Sequence, residues 1–211
     1  LEAGPKIEYV PSPSGKLAMD KVGVAGDTGE EAMVDRPKVN VGPGDRVLVL
    51  DRTKSGKSPL LPALAGLWPF GTGRLEIPSD DKAMFLKARP YMLQGTLREV
   101  LTYPHPTDEF DDADERAALQ RVGLARLVDS LDKSARWEQT LNADEQARLA
   151  IAHLILHRPR WIFCDGSPNI IDDDDDVVSS IFETELADSA LVSVARQRGR
   201  AGLCRQVVHL T

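Results

Sequence analysis

With 211 residues the chain is long enough for one large domain or two small ones, and 42% hydrophobic with 28% charged residues excludes a disordered or fibrous protein. A formal net charge of -7 argues against a nucleic-acid binder, which needs a basic face to neutralise phosphates; the stretch from Arg196 to Arg200 is a local exception. Two cysteines make no disulfide framework and suit a reducing compartment, and no stretch approaches the roughly 18 apolar residues that span a bilayer.

In chain order, residues 1–40 read as turn-rich antiparallel sheet, with short apolar runs (Ile7–Val10, Val22–Ala25) broken by Pro11-Ser12-Pro13-Ser14-Gly15 and Gly26-Asp27-Thr28-Gly29. A strand is expected at 46–50, then a helix carrying Leu60, Leu61, Leu64 and Leu67, then strands near 73–77 and 83–86. Apolar recurrence at three and four residues predicts helices at 96–102, 113–121 and 124–131. The helix 143–157 has a clear start, because Asn142 and Glu145 form an N-x-x-E variant of the capping box. The apolar run Trp161-Ile162-Phe163-Cys164 reads as a strand ending at Asp165, followed by a helix near 173–187 and strands at 190–194 and 206–210. Strands alternating with helices imply a sheet with parallel members, whose ligands sit beyond the strand carboxyl ends. The chain begins at Leu1 rather than Met, so a piece of a longer polypeptide is expected.

The chemistry lies at two such ends. Ser55-Gly56-Lys57-Ser58, between the strand Val47–Leu50 and the helix from Leu60, is the back half of a phosphate-binding loop. In that role the backbone N–H groups of 55–58 cradle oxygens, Lys57 reaches the β/γ phosphates, and Ser58 gives a hydroxyl to Mg²⁺. The front half departs: the pattern asks for Gly where Asp51 stands. The alternative, an exposed turn with an N-cap, is disfavoured by the strand and helix on either side of the loop. Asp165 alone is a strand-end turn former; paired with the loop it is the carboxylate of the Mg²⁺ shell. His153 and His157 share a helix face at metal-binding spacing, but no third ligand is evident and a structural role is favoured. The acidic run Asp172–Asp176 is most simply a helix N-terminus.

From about Val41 onward the chain resembles the ATP-binding domain of ABC transporters. Pro43-Gly44-Asp45-Arg46, Gly66-Leu67-Trp68-Pro69, Arg89-Pro90-Tyr91, Gly95-Thr96-Leu97-Arg98-Glu99 and Trp137 look like one subgroup of it. That subgroup comprises the peroxisomal fatty acyl-CoA half-transporters and bacterial relatives assigned to vitamin B12, bleomycin or antimicrobial peptides. The resemblance implies a P-loop NTPase fold of ABC ATPase type, α/β, with a mixed sheet, an N-terminal antiparallel β part (1–44) and a helical subdomain (about 88–142) in a single domain of 1–211. It also implies ATP and Mg²⁺ as cofactors, a transmembrane permease domain and a second nucleotide-binding domain as partners, no nucleic acid, and a place on the cytoplasmic face of a membrane through the permease.

The departures from the family fall where ligand chemistry occurs. Asp51 and Lys54 stand at loop Gly positions and Pro59 replaces a residue whose N–H faces phosphate. Ala88 stands at the Q-loop Gln, Gly166 at the catalytic Glu after Asp165, and Arg196 at the switch His. Asn142-Ala143-Asp144-Glu145 stands where the signature reads Ser-x-Gly-Glu, while Asp172 at the D-loop is retained. Asp51 and Asp144 add negative charge near polyphosphate, with Lys54 offering a partial offset, and Pro62 is expected to burden the first helix from its interior. Tyr9 lies too far upstream for the family's adenine-stacking aromatic. The expectation is a degenerate ATP-binding domain with weakened nucleotide binding and lost hydrolysis; the alternative is a working motor driving a permease.

Overall fold

The computed structural model describes residues 4–26, 29–54, 58–78, 83–87, 90–166, 176–197 and 202–211. Two five-stranded sheets divide the strands. The first holds β1 (Glu8–Pro11), β2 (Leu17–Ala25), β3 (Glu31–Met33), β4 (Lys38–Val41) and β6 (Gly71–Ile77). It is antiparallel as the turn-rich sequence foretold, except that β1 runs parallel to β6 in the register Glu8↔Arg74. Only hairpin-linked neighbours are bound to run antiparallel, and the connection from β1 to β6 passes through the body of the domain.

The second sheet is wholly parallel, in the order β12 (Gln206–Leu210), β5 (Arg46–Asp51), β11 (Ala190–Ala195), β10 (Trp161–Asp165), β7 (Ala83–Lys87). Its central strands β5, β11 and β10 are near-continuous apolar runs because both their faces are covered, whereas the edge strand β7 is largely exposed. In β10, Trp161 and Phe163 point into a core shared with the first sheet, where Leu17, Met19, Val24 and Leu75 lie, while Ile162 and Cys164 join the opposite core. That second core is built by the helices: α2 (Leu97–Thr102), α3 (Asp112–Arg121), α5 (Ala143–His157) and α6 (Asp176–Glu183), with Leu101, Leu119, Ile151 and Phe182 fully buried. Full burial of each such side chain contributes about 1.5–3 kcal/mol, which is why these helices pack rather than fray. Among the described residues no helix is long and apolar enough to cross a membrane.

Helix α5 starts where its cap requires. Glu145 N–H donates to Asn142 Oδ1 at 2.9 Å and Asn142 N–H donates to Glu145 Oε2 at 3.1 Å, so both orphan donors are satisfied. The expected helix at 124–131 is a 3-10 helix, Ala125–Ser130. A short ribbon of β8 (Gly95–Thr96) with β9 (Ser134–Ala135) and the one-turn α4 (Trp137–Thr140) carried no local pattern to announce them.

The first helix is the main correction. α1 is only five residues long, Leu60–Leu64, and Leu67 lies beyond it, 77% exposed. It ends in a Schellman motif: Leu67 N–H donates to Pro62 O at 2.9 Å and Gly66 N–H to Ala63 O at 2.9 Å, with Gly66 at φ 74°. Pro62 is therefore not an interior residue. It falls in the first turn, where its missing N–H would have had no intrahelical partner. The cost of the prolines appears as a short helix rather than a broken one.

Most residues behind the family resemblance hold the scaffold. Arg46 donates to Phe182 O at 2.7 Å. Trp68 Nε1 donates to Ala25 O at 2.9 Å and Trp137 Nε1 to Gly95 O at 3.0 Å. Thr96 caps α2 in a full capping box with Glu99. Arg98 meets three carboxylates, those of Asp112, Glu115 and Asp132.

Candidate functional site

Strands β5, β11 and β10 are neighbours in the parallel sheet, and the residues at and just past their carboxyl ends converge. A cavity of about 530 Å³ is lined there by Asp51, Ser58, Pro59, Asp165, Gly166 and Arg196, with Trp68 and Pro62 among the apolar wall residues. Residues more than a hundred positions apart in sequence thus share one site, where open α/β sheets bind their ligands. Ser55, Gly56, Lys57, Ala88 and Asp172 lie outside the described residues.

Asp51 ends β5 with 4% exposure. Its Oδ1 accepts the backbone N–H of Thr53 at 2.9 Å and the Thr53 hydroxyl, and its Oδ2 accepts the backbone N–H of Ser58 at 3.1 Å. Lys54 does not offset it: the Lys54 side chain is 90% exposed, with Nζ 3.9 Å from Glu30. A solvated pair of that kind contributes little. The Ser58 hydroxyl accepts the N–H of Leu60 at 3.1 Å, which leaves it a second lone pair for a cation.

Across the cavity, Asp165 is exposed at the end of β10, and Gly166 follows it at φ 66° with its N–H bonded to Val194 O at 2.9 Å. That left-handed conformation suits glycine and strains any side chain. Arg196 is exposed one residue past β11, the strand that lies between β5 and β10.

Asn142, Ala143, Asp144 and Glu145 open α5 and do not line this cavity. Asp144 is not a free anion, because Arg148 Nε donates to it at 2.8 Å one turn away. Glu145 is bound by Arg126, whose hydrogen bond holds its carboxyl below the usual range. Tyr9, whose ring packs against the inter-sheet core, directs its hydroxyl to Ala63 O and Trp68 O at 2.9 and 2.7 Å, and so ties β1 to the end of α1.

A larger groove, about 620 Å³, lies elsewhere, between β7 and helices α2 and α5, and sequence reasoning did not anticipate it. Phe85, Tyr91 and Tyr103 line it at 51%, 81% and 54% exposure, the only local sign being aromatic residues flanking the Ala88 position. His153 and His157 form part of its floor, and both donate to Leu101 O, at 2.8 and 3.0 Å. Their shared acceptor makes them a structural clamp between α5 and α2, and among the described residues no three or more His, Cys, Asp or Glu side chains gather as a metal site, here or elsewhere.

Burial, reinforced by His157 and His105, pushes His153 down to about 4, although its bond to Leu101 O opposes the shift. The folded chain therefore binds this proton less readily than the unfolded chain. The contribution is complete above pH 6.5 and is lost as pH falls toward 4. Urea midpoints should show a loss of about 2 kcal/mol between pH 7 and pH 5. In His153→Leu most of this slope should vanish; an unchanged slope would assign it to other groups.

A parallel sheet with cavity-lining residues at three strand ends, a two-sheet core and a helical flank is the architecture of an ABC-type nucleotide-binding domain. The chain superposes on a bacterial Atm1-family ABC exporter with ATP bound at a TM-score of 0.63, covering 92% of this chain and 36% of the exporter at 17% identity. It is 35% identical over 159 residues to an uncharacterized ABC transporter ATP-binding protein of Synechocystis, covering 74% of this chain and 24% of that protein. It is 33% identical over 164 residues to ATP-binding cassette sub-family D member 1 of Drosophila melanogaster, covering 72% of this chain and 22% of that protein. No family model matches. By homology and fold the chain is an ABC transporter ATP-binding domain, and it spans about a quarter of the length of these curated relatives.

Proposed function

We propose that this domain binds Mg-nucleotide weakly, no longer hydrolyses ATP, and works as a non-catalytic partner in a transport assembly. The observation that carries the reading is the cavity at the strand ends, which keeps Ser58 and Asp165 for a Mg-phosphate but presents Gly166 and Arg196 where the family resemblance implies a Glu and a His. Ser55, Gly56 and Lys57 would cradle the phosphates, and Ser58 with Asp165 would hold Mg²⁺. The α1 helix, five residues long, offers little dipole to an anion.

In the same reading residues 1–211 form one nucleotide-binding unit, with about 88–142 as its helical subdomain. Asn142–Glu145 face a second nucleotide-binding domain, to which the family resemblance also assigns Asp172. The groove lined by Phe85, Tyr91 and Tyr103 receives a transmembrane permease, which places the domain on the cytoplasmic face of a membrane. Exposed aromatic residues clustered along one groove support a protein contact there.

Calorimetric titration of the chain with MgATP tests the nucleotide claim. Half-saturation is expected well above about 1 μM, the value equivalent to about 8.2 kcal/mol, and Lys57→Ala should abolish what binding remains. Submicromolar affinity in the unaltered chain would overturn the proposal.

A further inference from the structure

We propose that Asp51 is a built-in competitor for the phosphate: its carboxylate, braced by Thr53, holds the backbone N–H of Ser58 that a phosphate would otherwise use, so an anionic ligand must displace it from Ser58 to bind. The inference rests on reading the strand-end cavity as the nucleotide site, and goes beyond it by assigning what the loop contains when no ligand is present. Three observations support it. Asp51 is 4% exposed, so its charge is withdrawn from water and needs donors. Both carboxylate oxygens are used, Oδ1 by the Thr53 N–H and hydroxyl and Oδ2 by the Ser58 N–H at 3.1 Å. Ser58 is seven residues along the chain from Asp51, so the contact ties Ser58, just before α1, to the end of β5.

This differs from charge repulsion alone. A repelling carboxylate would weaken phosphate binding but contribute nothing to the empty loop. A carboxylate that accepts backbone N–H bonds makes charge-assisted contacts, which hold the empty loop in place. Being tethered, it also competes at a high effective concentration that free ATP cannot easily match. A Gly at position 51 would remove the carboxylate from the Ser58 N–H and open that donor to a ligand oxygen.

The full chain is compared with Asp51→Asn and Asp51→Gly in two measurements. The first is thermal melting without any anion, and the second is calorimetric titration with inorganic tripolyphosphate in place of nucleotide. Asn keeps the shape but sets an NH₂ group against at least one backbone donor. It is expected to melt about 2–4 °C lower while binding tripolyphosphate about tenfold more tightly. The Gly variant should gain at least as much affinity; if it fails to fold, Asp51→Asn alone decides. At high salt the gain should persist, because it comes from freed donors rather than from relieved long-range repulsion. An unchanged or raised melting temperature in Asp51→Asn, no gain in tripolyphosphate affinity, or a gain that salt removes would each overturn the proposal. Tight MgATP binding by the unaltered chain would instead strike the weak-binding reading, while the Asp51 comparison would still stand or fall on its own two measurements.

Discussion

Purified and given MgATP, the chain is expected to release no phosphate above background, and Gly166→Glu alone should recover little. In the family it resembles, the carboxylate after Asp165 polarises the attacking water, a role typically contributing about 10²–10⁴-fold. Gly166 offers none. Its backbone is also at φ 66°, so a Glu placed there is strained in the left-handed region and must rearrange the strand end before its carboxylate can point usefully. Arg196 can hold a negative charge but cannot share a proton as a histidine does. Ala88 supplies no amide to position the water.

Groups that act on one transition state are grossly non-additive, so restoring one leaves the others limiting. Combined reversal is expected to be required: Gly166→Glu, Ala88→Gln, Arg196→His, Asp144→Gly, and Gly at positions 51 and 54. A phosphate-release assay decides the matter. Mg²⁺-dependent turnover of about 1 per second in the unaltered chain, abolished by Lys57→Ala, would make it a working motor.

Removing Arg98 is expected to be the most destabilising single change outside the apolar core. Its guanidinium bonds Asp132 Oδ1 at 2.8 Å, Asp112 Oδ1 at 2.7 Å and the Glu115 carboxylate, and so joins α2, α3 and the turn before β9. Hydrogen bonds to Asp132 and Asp112 raise the guanidinium above its ordinary range, and the same bonds hold those two carboxyls below theirs. Glu115 is different: it is fully buried, burial pushes it up against the pull of Arg98, and its Oε1 has no hydrogen-bond partner among the described residues.

With Arg98→Leu the Glu115 carboxylate loses the cation that makes its burial tolerable. The expected loss is about 3–5 kcal/mol, read as a shifted urea midpoint at pH 7. Adding Glu115→Leu should return most of it, because a buried ion pair replaced as a unit by apolar groups costs little. If the double variant is as unstable as the single one, packing or the outer carboxylates, rather than the stranded charge, set the stability.

The resemblance to the family was written in Pro43–Arg46, Leu67–Pro69, Gly95–Glu99 and Trp137, and the structure supplies the physical meaning of those residues. Trp137 and Trp68 each donate to a backbone carbonyl, Thr96 with Glu99 starts a helix, and Arg98 gathers acids from three segments. None of them lines the strand-end cavity except Trp68. Much of the family resemblance is thus carried by scaffold features, whereas Pro90 and Tyr91 line the exposed groove beside β7.

What the sequence alone determined is what short-range physics controls. The start of α5 at the Asn142 cap, the strands 46–50 and 161–164, the switch from turn-rich sheet to alternating strands and helices, and the candidate positions Ser58 and Asp165 follow from periodicity, capping and local spacing, while Gly166 and Arg196 stand out only through the family resemblance. Tertiary structure alone decided the parallel pairing of β1 with β6, the shortness of α1 and the harmless place of Pro62 in it, and the removal of Lys54 toward Glu30. It also decided that Asp51 and Ser58 bond to each other, that Asp144 is neutralised by Arg148, and that three strand ends make one cavity. The reason is distance along the chain: a cap or a pleat is settled within a few residues, whereas a buried carboxylate takes whichever donor the packed sheet brings to it.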